Sequence, residues 1–141
     1  MAAVARYLAD TSALARLHLP DVAAALKPLI ETGLVATCAV VEFEVLWSTR
    51  SPSEYEAVQS NRSLGYEWLP TEDTDWERAL EVQKQLWATG RMRTVPLPDL
   101  LVAAVGERHK VTVLHYDHDY DTITDVTNQP MQWIVPRGSV G

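Results

Sequence analysis

The chain has 141 residues, 47% of them hydrophobic and 22% charged, a size and balance that let one domain bury a core without covalent staples. Cys38 is its only cysteine, which excludes an internal disulfide framework or a cysteine zinc site and fits a reducing compartment. A formal net charge of −7 argues against passive coating of DNA or RNA, since phosphate contacts draw on Lys and Arg. It is compatible with acids gathered in one place to hold cations. The opening MAAVARYLAD lacks the basic and then apolar pattern of a signal peptide. No apolar run reaches the roughly 18 residues of a membrane span, so a soluble, cytoplasmic protein is expected.

In chain order, Ala5–Ala9 reads as a short strand that ends at Asp10, where Asp10-Thr11-Ser12 offers capping side chains to a helical turn over Ala13–Leu17. Pro20-Asp21 opens a helix with Val22, Leu26, Leu29 and Ile30 at helical spacing and a stop at Gly33. Leu34–Thr37 is a buried strand, Val40–Ser48 an apolar helix, Pro52–Arg62 a polar helix and Tyr66–Leu69 strand-like. After Pro70, Thr74-x-x-Glu77 matches a capping box, with Trp76, Ala79, Leu80, Leu86 and Trp87 as the apolar stripe and Gly90 as the stop. Pro98-Asp99 opens LLVAAVG, apolar on every face and therefore a central buried helix. Val111–His115 is the next strand, Asp119–Val126 a short helix and Met131–Val135 a last strand. Residues 1–141 show no repeat or composition break and are expected to form one domain, with 136–141 a frayed tail. Helices alternating with short apolar strands predict an α/β fold of three layers, a central parallel sheet with helices on both faces.

In such a sheet the strands end on one edge, where ligands bind near the switch in strand order. Asp10 ends the first strand, Asp117 ends VTVLHYD, Glu42 and Glu44 lie early in the helix after the second strand, and Asp99 begins the apolar helix. Crowded carboxylates need a counter-charge. Hard cations such as Mg²⁺ or Mn²⁺ supply it, and a pair of them can clamp the attacking and leaving oxygens of a phosphodiester. No GxxxxGK[ST] or GxGxxG run is present, which removes the nucleoside-triphosphate and dinucleotide readings.

LADTSAL at 8–14, EVLWSTR at 44–50, PLPDLLVAAV at 96–105 and VLHYDHDYDTI at 113–123 resemble the PIN-domain ribonucleases, and more closely the VapC-type toxins of bacterial toxin–antitoxin pairs. The resemblance implies a Mg²⁺- or Mn²⁺-dependent endoribonuclease that cuts RNA such as tRNA or rRNA, is inhibited by a VapB-type antitoxin and forms a homodimer. It carries the acidic quartet onto Asp10, Glu44, Asp99 and Asp117. Asp10, Asp99 and Asp117 are then expected to hold metal, Glu44 to help activate the attacking water, and Thr11 and Ser12 to orient Asp10. Glu42 and Glu44 are about 200° apart on a helix; Glu44 continues the family pattern, while Glu42 is a neighbour or a capping acid. Asp119 can share the duty of Asp117.

His115 is expected to pack as a hydrogen-bonded core residue, and the five Trp residues to serve core or interface, with Trp47 and Trp87 marking a dimer face. Arg91 and Arg93 are candidate phosphate contacts, Arg16 and His18 weaker ones. Two other classes stay open: a signalling phospho-acceptor module, poorly matched because Lys110 precedes its strand, and an inactive binding module.

Overall fold

The strands are only two to four residues long, enough to pair but not to extend the sheet beyond one layer of side chains per face. The computed structural model describes residues 3–141. Its strands are β1 (Tyr7–Ala9), β2 (Val35–Thr37), β3 (Glu67–Trp68), β4 (Thr112–His115) and β5 (Met131–Trp133). They lie in the order β3-β2-β1-β4-β5 with every pair parallel. The chain leaves β1 in one direction to build β2 and β3, then returns to its other side for β4. The switch point therefore lies between β1 and β4.

Seven helices connect the strands: α1 (Thr11–Leu14), α2 (Pro20–Glu31), α3 (Ala39–Trp47), α4 (Pro52–Gly65), α5 (Asp73–Ala88), α6 (Leu97–Arg108) and α7 (Asp119–Thr127). Because successive strand residues point to opposite faces, the core divides in two. Leu8, Ala36 and Val113 pack with α5 and α6, whereas Ala9, Val35 and Leu114 pack with Val22 and Leu26 of α2. The expected three-layer α/β arrangement is the one found. Gly33 and Gly90 close α2 and α5 at φ 74° and 79°, the left-handed geometry that a helix stop requires of glycine.

Helix α6 behaves as its sequence demands, with Asp99 through Gly106 buried without a break. Gly106 permits this: a Cβ there would stand 2.9 Å from Val113 Cγ2 and 3.7 Å from Leu8 Cδ2.

Helix α5 departs from expectation. It starts at Asp73, and Asp75 rather than Glu77 returns a carboxylate to the chain, accepting from Glu72 N at 2.9 Å. Its buried face is Asp75, Ala79, Val82 and Leu86, whereas Trp76, Leu80 and Trp87, expected in the apolar stripe, are 48%, 65% and 39% exposed. The cause lies 33 residues on in the sequence. Arg108 donates from Nε and Nη2 to the Asp75 carboxylate at 2.8 and 3.0 Å, and so pulls an acid into the face turned to α6.

Residues 136–141 run back along the molecule. Tyr116 Oη donates to Val140 O at 2.8 Å, and Arg16 Nε donates to Gly141 O at 2.8 Å. Among the described residues no helix is long and apolar enough to cross a membrane.

Candidate active site

The site grows from the turn that ends β1. Asp10 is the N-cap of α1, extended at φ −73° and ψ 156°, and its Oδ2 accepts from Ser12 N at 3.0 Å and Ser12 Oγ at 2.6 Å. Ser12 Oγ in turn accepts from Tyr116 N at 2.9 Å, while Asp10 N donates to Leu114 O at 2.9 Å. The ends of β1 and β4 are thus tied across the switch point. Oδ1 of Asp10 accepts from the Tyr120 hydroxyl at 2.6 Å. Both groups are buried, Asp10 at 3% and Tyr120 at 0% exposure, so this charge-assisted bond is strong.

Beside Asp10, the carboxylates of Asp99, Asp117 and Asp119 each place an oxygen within 4.8 Å of the others. Asp99 arrives on the first turn of α6, Asp117 in the loop after β4 and Asp119 at the first position of α7. The loop is folded by its own side chains. Asp117 Oδ1 accepts from Asp119 N at 2.9 Å, and Asp117 N donates to His115 Nδ1 at 3.2 Å. His115 is fully buried, and burial holds its ring below the ordinary imidazole pKa, in the neutral form that accepts this bond.

Electrostatically the site is under-compensated. Burial, a hydrogen bond to Asp119 and the negative charges of Asp10, Asp117 and Asp119 push Asp99 up to about 9. Burial also raises Asp119 and Glu44 above the usual carboxylate range. Among the described residues, no Lys or Arg forms an ion pair with Asp10, Glu44, Asp99, Asp117 or Asp119. Oxygen donors crowded without a cationic side chain are the donor set that Mg²⁺ or Mn²⁺ takes, so the residues present fit a hard divalent ion.

The expected quartet is distributed unevenly around this centre. Asp99 and Asp117 lie in the close group, and Asp119, expected only to share the duty of Asp117, lies there with them. Asp10 adjoins the group and raises Asp99 through its charge, but its oxygens are engaged by Ser12 and Tyr120. Glu44 joins through Thr11, whose hydroxyl donates to Oε1 at 3.0 Å. Glu42 turns away from the cluster, where Arg62 donates to it from Nε at 2.9 and 3.0 Å and from Nη2 at 2.7 Å, and the Thr37 hydroxyl donates to it as well. It is neither a neighbour in the cluster nor a helix cap.

Tyr120 was missed by the sequence reading, although a tyrosine between two acids in a helix's first turn is a signal, because a buried hydroxyl seeks a partner. Of the proposed phosphate contacts, Arg91 is committed to Asp125 at 2.9 Å, whereas Arg93 sits exposed in a left-handed turn at φ 61°. The tryptophans do not fill the core: Trp47, Trp68, Trp76 and Trp87 are all exposed and Trp133 is half-buried.

Residues 7–126, which include every acid of the site, match the PIN domain family. The chain belongs to that family, in its VapC branch. This VapC-type chain is 42% identical to Ribonuclease VapC21 of Mycobacterium tuberculosis over 134 residues, covering 95% of this chain and 97% of the relative. It is 42% identical to Ribonuclease VapC51 of the same organism over 135 residues, covering 96% and 97%. The DNA-bound VapBC structure from Salmonella typhimurium superposes with a TM-score of 0.74 at 11% identity, covering 93% of this chain and 99% of that one. VapBC2 from Rickettsia felis, bound to a promoter DNA fragment, gives 0.72 at 14%, covering 90% and 98%. At those identities the shared feature is the PIN fold.

Proposed function

We propose that this VapC-type chain is a metal-dependent endoribonuclease acting as the toxin of a type II toxin–antitoxin pair, one PIN domain working in the cytoplasm. The observation that carries the reading is the convergence of Asp99, Asp117 and Asp119 within 4.8 Å at the switch point, with no Lys or Arg among the described residues in an ion pair with them. Mg²⁺ or Mn²⁺ would be held by these three, with Asp10 completing the set. When bound, such an ion polarises the phosphate and acidifies water.

The chain's own residues do the rest. Ser12 and Tyr120 hold the Asp10 carboxylate in one orientation. Asp99 would give up its proton to act as a ligand, a cation then serving as its counter-charge. Thr11 occupies Glu44 Oε1 and leaves Oε2 to take a proton from water. Burial raises the Glu44 pKa towards the working pH of a general base.

A VapB-type antitoxin fits a groove of about 380 Å³ between α3 and α4, lined by Phe43, Leu46, Tyr55, Tyr66 and Trp68. Trp47, 89% exposed on α3, and Trp87 on α5 are the apolar surface on which a homodimer would form.

The test is RNA cleavage mapping with Mn²⁺ or Mg²⁺, with and without chelator, for the unmodified chain beside Asp99→Asn. Cleavage should need the metal and fall about a thousandfold in the variant. Cleavage at an undiminished rate in Asp99→Asn or in chelator overturns the reading.

A further inference from the structure

Four of the nine arginines of this acidic chain are committed to acids. Arg62, Arg78, Arg91 and Arg108 each pair with a carboxylate at 2.7 to 2.9 Å. Among the others, Arg137 stands out by its place beside His118 and Trp133. It is exposed, and among the described residues it pairs with no acid. Its guanidinium carbon stands 5.7 Å from the centre of the Trp133 ring, and Nη1 lies 3.2 Å from Nδ1 of His118. His118 is the residue between Asp117 and Asp119, so this cation borders the acid cluster.

The seat beneath Arg137 is rigid. Trp133 Nε1 donates to Asp121 at 3.1 Å, and its ring is 5.0 Å from His115 and edge-on to Tyr116 at 5.3 Å. The row continues to Arg16, 4.6 Å over the Tyr116 ring. Arg16, however, already donates from two nitrogens to Ser12 O and Gly141 O, so Arg137 is the less committed cation of the row. A guanidinium beside an aromatic ring keeps N–H groups for a phosphate fork and a plane for an unstacked base.

We propose that Arg137, seated on Trp133 beside His118, grips a phosphate of a single-stranded RNA segment that runs on to the acid cluster. The inference rests on the nuclease reading and adds a phosphate contact at Arg137, outside the acids. A duplex needs a broad basic surface, whereas one planar cation on an aromatic row suits a single strand.

The test is fluorescence anisotropy with a short fluorescein-labelled single-stranded RNA, using the full chain carrying Asp99→Asn so that the probe survives. Arg137→Ala should weaken binding about tenfold and reduce the slope of log K against log salt by about 0.7, the share of one phosphate on a single strand. Arg137→Lys should keep the slope and recover part of the affinity, which a purely structural role would not produce. Affinity for the same sequence as a duplex should not change. Unchanged single-strand affinity and slope in Arg137→Ala overturn the proposal, as does an equal loss on the duplex. Cleavage by the unmodified chain, with binding indifferent to Arg137, sinks this inference alone. Arg137-dependent binding, with no RNA cleaved by the unmodified chain in Mn²⁺, supports it and sinks the nuclease reading instead.

Discussion

Asp75 and Asp99 are the same residue in the same setting, 1% and 7% exposed in the first turns of adjacent helices, yet they are treated in opposite ways. Asp75 receives a two-pronged guanidinium from Arg108 and the N–H of Glu72. Asp99 receives three further carboxylates and is driven up to about 9. A buried acid with its cation supplied holds helices together. A buried acid surrounded by its own kind is costly unless something from outside binds there. The same contrast recurs within α3, where Glu42 is matched by Arg62 and Glu44 only by a hydroxyl.

The sharpest break of this comparison is to neutralise each acid or its partner in turn. Asp99→Asn should reduce cleavage by about a thousandfold, the several kcal/mol that a positioned metal contributes, while leaving the metal-free fold as stable or more so. Because the carboxyl of Asp99 is lifted above its unfolded value, its contribution to stability is full below about pH 4 and is lost as pH rises towards 9. The Tm of the metal-free chain should therefore fall between those limits by roughly 5–10 °C, and Mn²⁺ should restore it. A flat profile, or the same fall in Asp99→Asn, would show that Asp99 does not carry the effect. Calorimetry across pH reads both.

Arg108→Met should do the reverse. It strands the Asp75 charge and destabilises the chain by about 3 kcal/mol in urea unfolding, with kcat per folded molecule little changed. Glu42→Gln should likewise cost about 1–3 kcal/mol by stranding Arg62 while cleavage continues, whereas Glu44→Gln should lose cleavage by about a hundredfold with little change in stability. If the two α3 variants exchange these outcomes, the assignment of Glu44 to the site is wrong. The smallest effect belongs to Tyr120→Phe, which removes one bond to Asp10 and should raise the Mn²⁺ concentration for half-maximal cleavage about tenfold. An unchanged metal requirement would reduce Tyr120 to core packing.

Much of this was legible in the chain, for reasons particular elements make plain. Residues 100–106 carry no charge, so α6 had to be central, and Asp99 at its start had to reach the sheet edge. The separation of Glu42 from Glu44 followed from helix geometry, but Arg62 as the partner of Glu42 lies 20 residues away and left no local mark. Helix α5 was misread for the same reason. Two stripes of similar spacing ran along it, and choosing between them needed Arg108. Asp119 stood two residues from Asp117, a spacing that gives one face on a strand and opposed faces on a helix. The turn in which Asp117 accepts from Asp119 N is neither, and it brings both acids together.

Gly106 has a consequence for how this protein could be disarmed. It lies seven residues from Asp99 on one straight helix, about 10 Å along the axis, and its missing side chain lets that helix rest on β1 and β4. Any larger residue would meet Val113 and lift the rod at one end, swinging the acid at the other. Under selection for survival of cells that carry the toxin, attenuating substitutions should therefore collect at 106 as well as among the acids. Chains altered there would keep every carboxylate and still be harmless.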